Sequence, residues 1–167
     1  MHPHHLIYLE TNGKEIRFDI FITDDFSNLH DVKQVYGLVL SKDKSSVLVV
    51  REKNGMWILP GGTVEAGETL MDTLVREVKE ETNRDLAIQT AKPLFYQNAY
   101  QKNVQGAWEY FRTEVRFSVV VENDNEFISD PDHGNIIEAK WVSITNLEAF
   151  LDWGETTTLI KRLLIHR

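Results

Sequence analysis

Three glutamates crowd the middle of the chain: Glu77, Glu80 and Glu81. On a helix, spacings of three and four residues bring side chains onto one face, so the three carboxylates would stand together. Like charges placed in this way repel by roughly 0.2–0.5 kcal/mol per pair. Toward the C-terminal half of a helix the macrodipole opposes anions by about 0.3–1 kcal/mol more. A helix with only a structural duty would gain from lysines at these positions. The pattern therefore points to a hard divalent cation, and Mg²⁺ is the simple candidate, because it takes oxygen ligands and is often shared with substrate phosphates. From Glu65 to Asp85 there are seven acids and three bases, so this short stretch carries half of the chain's net charge of −8.

A helix must hold those residues. Leu70, Leu74 and Val78 recur every four positions with Met71 and Val75 beside them, which predicts an amphipathic helix over 69–82. Thr69 and Asp72 read as a capping box, and Asn83 suits a left-handed C-cap. The glycine-rich residues 61–67 ahead of it read as a loop. Strands are expected at 6–10 and 15–22, joined through Asn12-Gly13 as a type I′ hairpin, and at 35–40, 47–51 and 56–59. Further strands are expected at 86–90, 93–99, 110–122 and 140–143. Residues 145–153 and 156–166 read as helices covering a sheet. The outcome is a layered α/β or α+β domain.

Composition limits the alternatives. A chain of 167 residues is one ordinary domain: an N-terminal extension over 1–33, a core over 34–153 and a C-terminal helix over 154–167. No long uncharged apolar run is present, so no membrane span is expected, and the start lacks a secretory pattern. The absence of cysteine excludes thiolate chemistry and fits a reducing, cytoplasmic setting. An acidic chain is a poor general binder of nucleic acid. Lys92, Lys102, Arg112 and Arg116 are scattered rather than arranged in a tract.

The order of the residues is more specific than their composition. Gly62, Glu68 and the run Arg76-Glu77-Val78-Lys79-Glu80-Glu81 form the pattern G-x5-E-x7-R-E-U-x-E-E, where U is apolar. This resembles the Nudix box, and the preceding Trp57-Ile58-Leu59-Pro60-Gly61-Gly62 resembles the usual lead-in to it. The resemblance implies a Nudix-like α/β/α sandwich with a mixed sheet, to which an N-terminal β-hairpin has been added. It implies hydrolysis of a nucleoside diphosphate linked to a further group, assisted by Mg²⁺ or Mn²⁺. Carried over by position, Glu77, Glu80 and Glu81 with the carbonyl of Gly61 hold the metal. Arg76 and Glu68 support them, and Glu81 or Glu77 serves as the base. Gly62 lies close to the phosphates. Two positions depart from the box: Asn83 stands for its glycine and Arg84 for an apolar residue, so that either Leu86 takes over the packing or the next strand starts slightly late. Trp57 is expected to pack rather than to stack on a base.

The resemblance leaves the substrate open. The isoprenoid diphosphate isomerase branch needs a cysteine, and this chain has none. The proline that ADP-ribose hydrolases carry past the box is Ala99 here, and the signature of NADH-cleaving members is missing. Tyr100 stands where dinucleoside-polyphosphate hydrolases tend to carry a tyrosine. A base could stack on Tyr100, Trp108 or Phe111, and the amide-rich residues 97–108 could form a substrate loop. Glu138, Asp132 and Glu126 are additional acids that could reach the site. His133 reads as a loop residue, and His2, His4 and His5 as a frayed end. Small nucleoside triphosphates, oxidised ones included, are the first expected substrates. Dinucleoside polyphosphates, nucleotide sugars and ADP-ribose are the alternatives, as is a nucleotide-binding module without turnover. The expected assembly is a monomer or a homodimer.

Overall fold

The computed structural model describes residues 2–11, 13–128 and 134–166. Their strands form one sheet. They are β1 (His5–Thr11), β2 (Lys14–Ile22), β3 (Val32–Leu40), β4 (Ser46–Glu52), β5 (Trp57–Ile58), β6 (Gly61–Thr63), β7 (Asp85–Lys102), β8 (Trp108–Asn123) and β9 (Ile136–Ser143). The order is β1-β2-β7-β8-β3-β4-β5, with β6 on β3 and β9 on β4. The β3–β8 pair is parallel and the other pairs are antiparallel, so the sheet is mixed as expected.

Alternation along the central strands separates two cores. Val35 and Val39 of β3, with Val115, Phe117, Val119 and Val121 of β8, pack against Leu74 and Val78 of helix α1 (Leu70–Thr82). Leu38 of β3 and Val47 and Val49 of β4 face the other way, toward a 3₁₀ segment (Ile144–Ala149) and helix α2 (Glu155–Ile165). Burial on both faces explains why these strands read as nearly continuous apolar runs. Among the described residues no helix is long and apolar enough to cross a membrane.

Helix α1 begins as its sequence demands. The Thr69 hydroxyl accepts from the Asp72 N–H, and the Asp72 carboxylate accepts from the Thr69 N–H in return. The helix ends at Asn83 in the left-handed conformation (φ 58°), whose amide side chain also donates to the carbonyl of Glu126. Arg84, the second departure from the box, is buried and ion-paired to Asp124 at 2.6 Å. Leu86 is buried in the core beside α1.

Several expectations need correction. Residues 61–67 are not all loop: Gly61–Thr63 forms β6, with Gly61 facing Tyr36 and Gly62 facing Val35. The strands expected at 86–90 and 93–99 are one strand, β7, with a register shift against β8 between Ala87 and Lys92. The shift accommodates the break between the two expected strands. The amide-rich 97–108 is not a substrate loop. Residues up to Lys102 continue β7, and the chain reverses around Asn103, whose side chain accepts from the N–H groups of Gln105 and Ala107. The first terminal helix is only a short 3₁₀ segment, with no side-chain cap at Ser143 and a non-helical Asn146.

The N-terminal hairpin extends the sheet, β2 pairing with β7 from Ile16↔Gln101 to Ile22↔Phe95. Thr11 faces Lys14, leaving a two-residue connection with Gly13 at φ 71°; Asn12 lies outside the described residues. His4 is not frayed, because its Nδ1 accepts from the Ile22 N–H at 3.0 Å. Loss of the capping box should be visible in stability: Thr69→Ala is expected to cost about 1 kcal/mol in urea unfolding.

Candidate active site

The cleft over the box lies between β6 and the exposed face of α1, and strands β3 and β4 add to its lining. Its lining includes Gly61, Gly62, Glu77, Glu80 and Glu81, with a volume of about 480 Å³. The two glycines are required for different reasons. Gly61 has φ 145°, and a Cβ there would overlap the carbonyl oxygen of Val35 and the Cα of Tyr36. Gly62 has ordinary backbone angles, but its missing side chain leaves the space that the Glu77 carboxylate occupies. The Gly61 N–H donates to Glu81 Oε2 at 2.9 Å, which fastens the C-terminal part of α1 to the turn.

Arg76 gathers the acids. Its Nε donates to Glu68 Oε1 at 2.6 Å and its Nη2 to Glu68 Oε2 at 3.0 Å, a bidentate pair. Nη1 reaches Glu77 Oε1 at 2.9 Å and Glu80 Oε2 at 3.2 Å, and Nη2 also donates to the carbonyl of Thr63 at 3.1 Å. Glu68 is further held by the Thr73 hydroxyl and the Glu65 N–H. The Arg76 guanidinium holds the Glu68 carboxyl down at about 2, against an ordinary 4.5. Glu68 and Glu77 push Arg76 up in turn. Burial pushes the Glu77 carboxyl up, opposed by Arg76 and reinforced by the neighbouring Glu80 and Glu68.

The chemistry of the donors suits a hard cation. Glu77, Glu80 and Glu81 offer only oxygen, and Gly61 lies beside them. Four glutamates against one arginine leave the cluster strongly anionic. As arranged, the guanidinium of Arg76 takes up the Glu77 and Glu80 oxygens. Among the described residues no three acidic or imidazole groups meet at a single point. A divalent cation would have to draw these side chains closer together, which long glutamate side chains on one helix face permit.

The family follows from a wider comparison. A family model of the NUDIX domain matches residues 32–163. The chain belongs to the Nudix family. One relative, named ADP-ribose pyrophosphatase, from Methanocaldococcus jannaschii, is 46% identical over 57 residues, covering 32% of this chain and 33% of that protein. The mouse nucleoside diphosphate-linked moiety X motif 6 is 28% identical over 135 residues, covering 79% of this chain and 41% of that protein. Neither match spans two thirds of the relative. The solved structure of a Caenorhabditis elegans Ap4A hydrolase shares the fold, with a TM-score of 0.57 and 18% identity over 81% of this chain and 96% of that one.

The Nudix fold brings together Gly61, Gly62, Glu68, Arg76, Glu77, Glu80 and Glu81, all named from sequence. It keeps others apart. Tyr100 lies under the Arg17 guanidinium at 4.4 Å and against Tyr110, outside the cleft lining. Glu138 faces Arg51 at 3.6 Å, also outside it. Glu126 contributes a carbonyl to Asn83. Trp57 packs edge-on against Phe150, as expected. Asp132 and His133 lie outside the described residues. Sequence reasoning missed Gln34, Tyr36 and Glu52, which line the cleft from β3 and β4. Glu52 ends an apolar strand two residues before the Asn54-Gly55 turn, and a lone acid at a strand end gives little warning of a site.

Three variants test this geometry. Gly61→Ala should lower stability by at least about 2 kcal/mol. Gly62→Ala should leave stability within about 1 kcal/mol but displace Glu77, weakening Mn²⁺ binding by at least about tenfold in a titration. For Glu68 the depressed carboxyl contributes stability above its ordinary 4.5, and this is lost as pH falls toward about 2. In chelator-treated protein, Glu68→Gln should therefore be less stable than the parent at neutral pH. The gap between their urea midpoints should narrow as pH drops below about 4.5.

Proposed function

We propose that this Nudix chain hydrolyses a phosphoanhydride bond in a nucleoside diphosphate linked to a further group, over the cleft between β6 and α1. The observation that carries the reading is the gathering of Glu77, Glu80 and Glu81 against the Gly61-Gly62 turn by Arg76 and by the Gly61 N–H. Glu77, Glu80, Glu81 and the Gly61 carbonyl would hold Mg²⁺ or Mn²⁺, which when bound supplies charge neutralisation on phosphate oxygens and an activated water.

The chain's own residues do the rest. Water attacks phosphorus, the bond to the bridging oxygen breaks, and the leaving phosphate departs on that oxygen. The proton released by the water passes to a box carboxylate, Glu81 or Glu77. Arg76 stays protonated throughout, keeps Glu77 and Glu80 from splaying apart, and is itself oriented by Glu68. The space that Gly62 leaves open seats the Glu77 carboxylate against β6.

Small nucleoside triphosphates, oxidised ones included, are the first substrates of this reading. The name of the Methanocaldococcus jannaschii relative, ADP-ribose pyrophosphatase, supports a nucleotide sugar as the second. Tyr100 and Glu138 have no place in the reading, since neither lines the cleft.

A phosphate and pyrophosphate release screen with Mg²⁺ tests it, across triphosphates, dinucleoside polyphosphates, ADP-ribose and nucleotide sugars. Glu81→Gln and Glu80→Gln should each lower turnover of the best substrate by about a hundredfold or more, and chelation should abolish it. Full activity in both variants would remove the box from the chemistry. Nucleotide-dependent thermal shifts without any release would show a binding module instead.

A further inference from the structure

The sheet ends on an open strand. β1 pairs with β2 on one side, and nothing among the described residues pairs with its other side. The turn fixes where its main-chain groups point. Thr11 faces Lys14 across a two-residue connection, and the residues flanking such a turn exchange both of their main-chain hydrogen bonds. By alternation His5, Ile7, Leu9 and Thr11 bond to β2, while the N–H and C=O groups of Leu6, Tyr8 and Glu10 point away from the sheet. β2 agrees with this phase: the carbonyl of Ile20, opposite His5, points toward β1 and accepts from the His4 N–H at 2.8 Å.

This edge lacks the devices that keep strands of different molecules apart. His5–Thr11 contains no proline, lysine or arginine, and its register against β2 runs without a bulge. Glu10 is its one formal charge, in a chain of −8. Leu6, Tyr8 and Leu9 are 47, 60 and 46% exposed, three large apolar side chains on one short strand. Tyr8 lies 5.8 Å from the Trp108 ring, which the Arg17 guanidinium also covers. Leu9, on the opposite face, lines a cavity of about 180 Å³ that adjoins the acidic cleft, with Tyr36 and Ile58 bordering both. The hairpin lies outside residues 32–163, so the family's common core does not supply this edge.

We infer that a second copy of this chain covers the edge, β1 pairing antiparallel with the partner's β1 about a two-fold axis at Tyr8. Unpaired main-chain groups in a row call for another strand, and this strand is complementary to itself. In that register Leu6 faces the partner's Glu10, Tyr8 faces the partner's Tyr8, and Glu10 faces the partner's Leu6. These three pairs exchange six main-chain hydrogen bonds. A slip of two residues in either direction leaves two such pairs within β1, so the symmetric register is the favoured one. No like charges oppose each other, and the row of rings runs across the axis from Trp108 through both tyrosines to the partner's Trp108. A strand of seven residues is about 23 Å long. It covers less than the roughly 800 Å² per partner of a standard interface, so the dimer is reversible and concentration-dependent.

Sedimentation velocity between about 1 and 300 µM should show a monomer–dimer equilibrium. Leu6→Glu sets like charges against each other at both ends of the pairing and should weaken the dimer by about fivefold or more. Adding Glu10→Lys should restore it. On their own strand residues 6 and 10 stand about 13 Å apart, so pairing between chains is what makes them neighbours. The absence of cysteine gives a second readout. Tyr8→Cys places one thiol on the axis, with the two Cα atoms about 5.5 Å apart and within disulfide reach. Under mild oxidation it should crosslink at least about tenfold faster than Val104→Cys, at a position 96% exposed beyond the end of β7. Leu6→Cys should crosslink poorly with itself but readily with Glu10→Cys. A monomer throughout this range, or a Tyr8→Cys rate no higher than that of Val104→Cys, overturns the inference and leaves the edge to a strand from another protein. A dimer indifferent to Leu6→Glu lies on another surface and overturns it equally.

Discussion

The site depends on one cation that the chain carries itself. Four glutamates lie within reach of one another at the β6–α1 junction, and without compensation their repulsion would push the turn away from the helix. Arg76 prevents this with a single planar group, using Nε and both terminal nitrogens on Glu68, Glu77, Glu80 and the Thr63 carbonyl. A lysine could not do the same, because a compact ammonium lacks the fork that reaches two directions at fixed angles. The Gly61 N–H adds a second fastening through Glu81. Turn, helix and carboxylates are therefore one mechanical unit, held by charge where an ordinary helix–sheet contact would be held by apolar packing.

Apolar packing does the complementary job from beneath. Leu74 and Val78 seat α1 on β3, and Gly37 lets them approach, since a Cβ there would lie 3.0 Å from Leu74 Cδ1. The same strand presents Tyr36 on its opposite face, where the sheet's second layer begins. One strand thus sets the depth of the acidic cleft and contributes a wall to the cavity beyond it.

The box was legible because its signals are local. A fixed spacing, a reciprocal cap at Thr69 and Asp72, and a left-handed Asn83 each depend on a few consecutive residues, and the fold keeps them all. What escaped depends on pairing at a distance. Tyr100 stood at a suggestive interval from the box, but β2 lies alongside β7 and sets Arg17 opposite it. Gln97–Lys102 looked like a loop because amides favour loops, yet pairing on both sides keeps it in the sheet. Arg112 and Arg116 looked like scattered charges, and Glu114 stands between them. Their spacing of two, leading into an apolar strand, is the mark of one charged strand face, and burial of such a face requires partners from other strands that no local pattern reveals.

The hairpin has a consequence for assembly of the chain. Its strands are made before their partner: β2 has no sheet to join until β7 exists, and Ile16 must find Gln101. During synthesis the hairpin emerges as an isolated two-stranded ribbon, which is marginal in water, with Ile20 destined for a core not yet made. The parallel β3–β8 contact imposes a similar wait. Folding of this topology is therefore dominated by late, long-range closure and is intrinsically slow. The hairpin is translated before β7 and settles only after it.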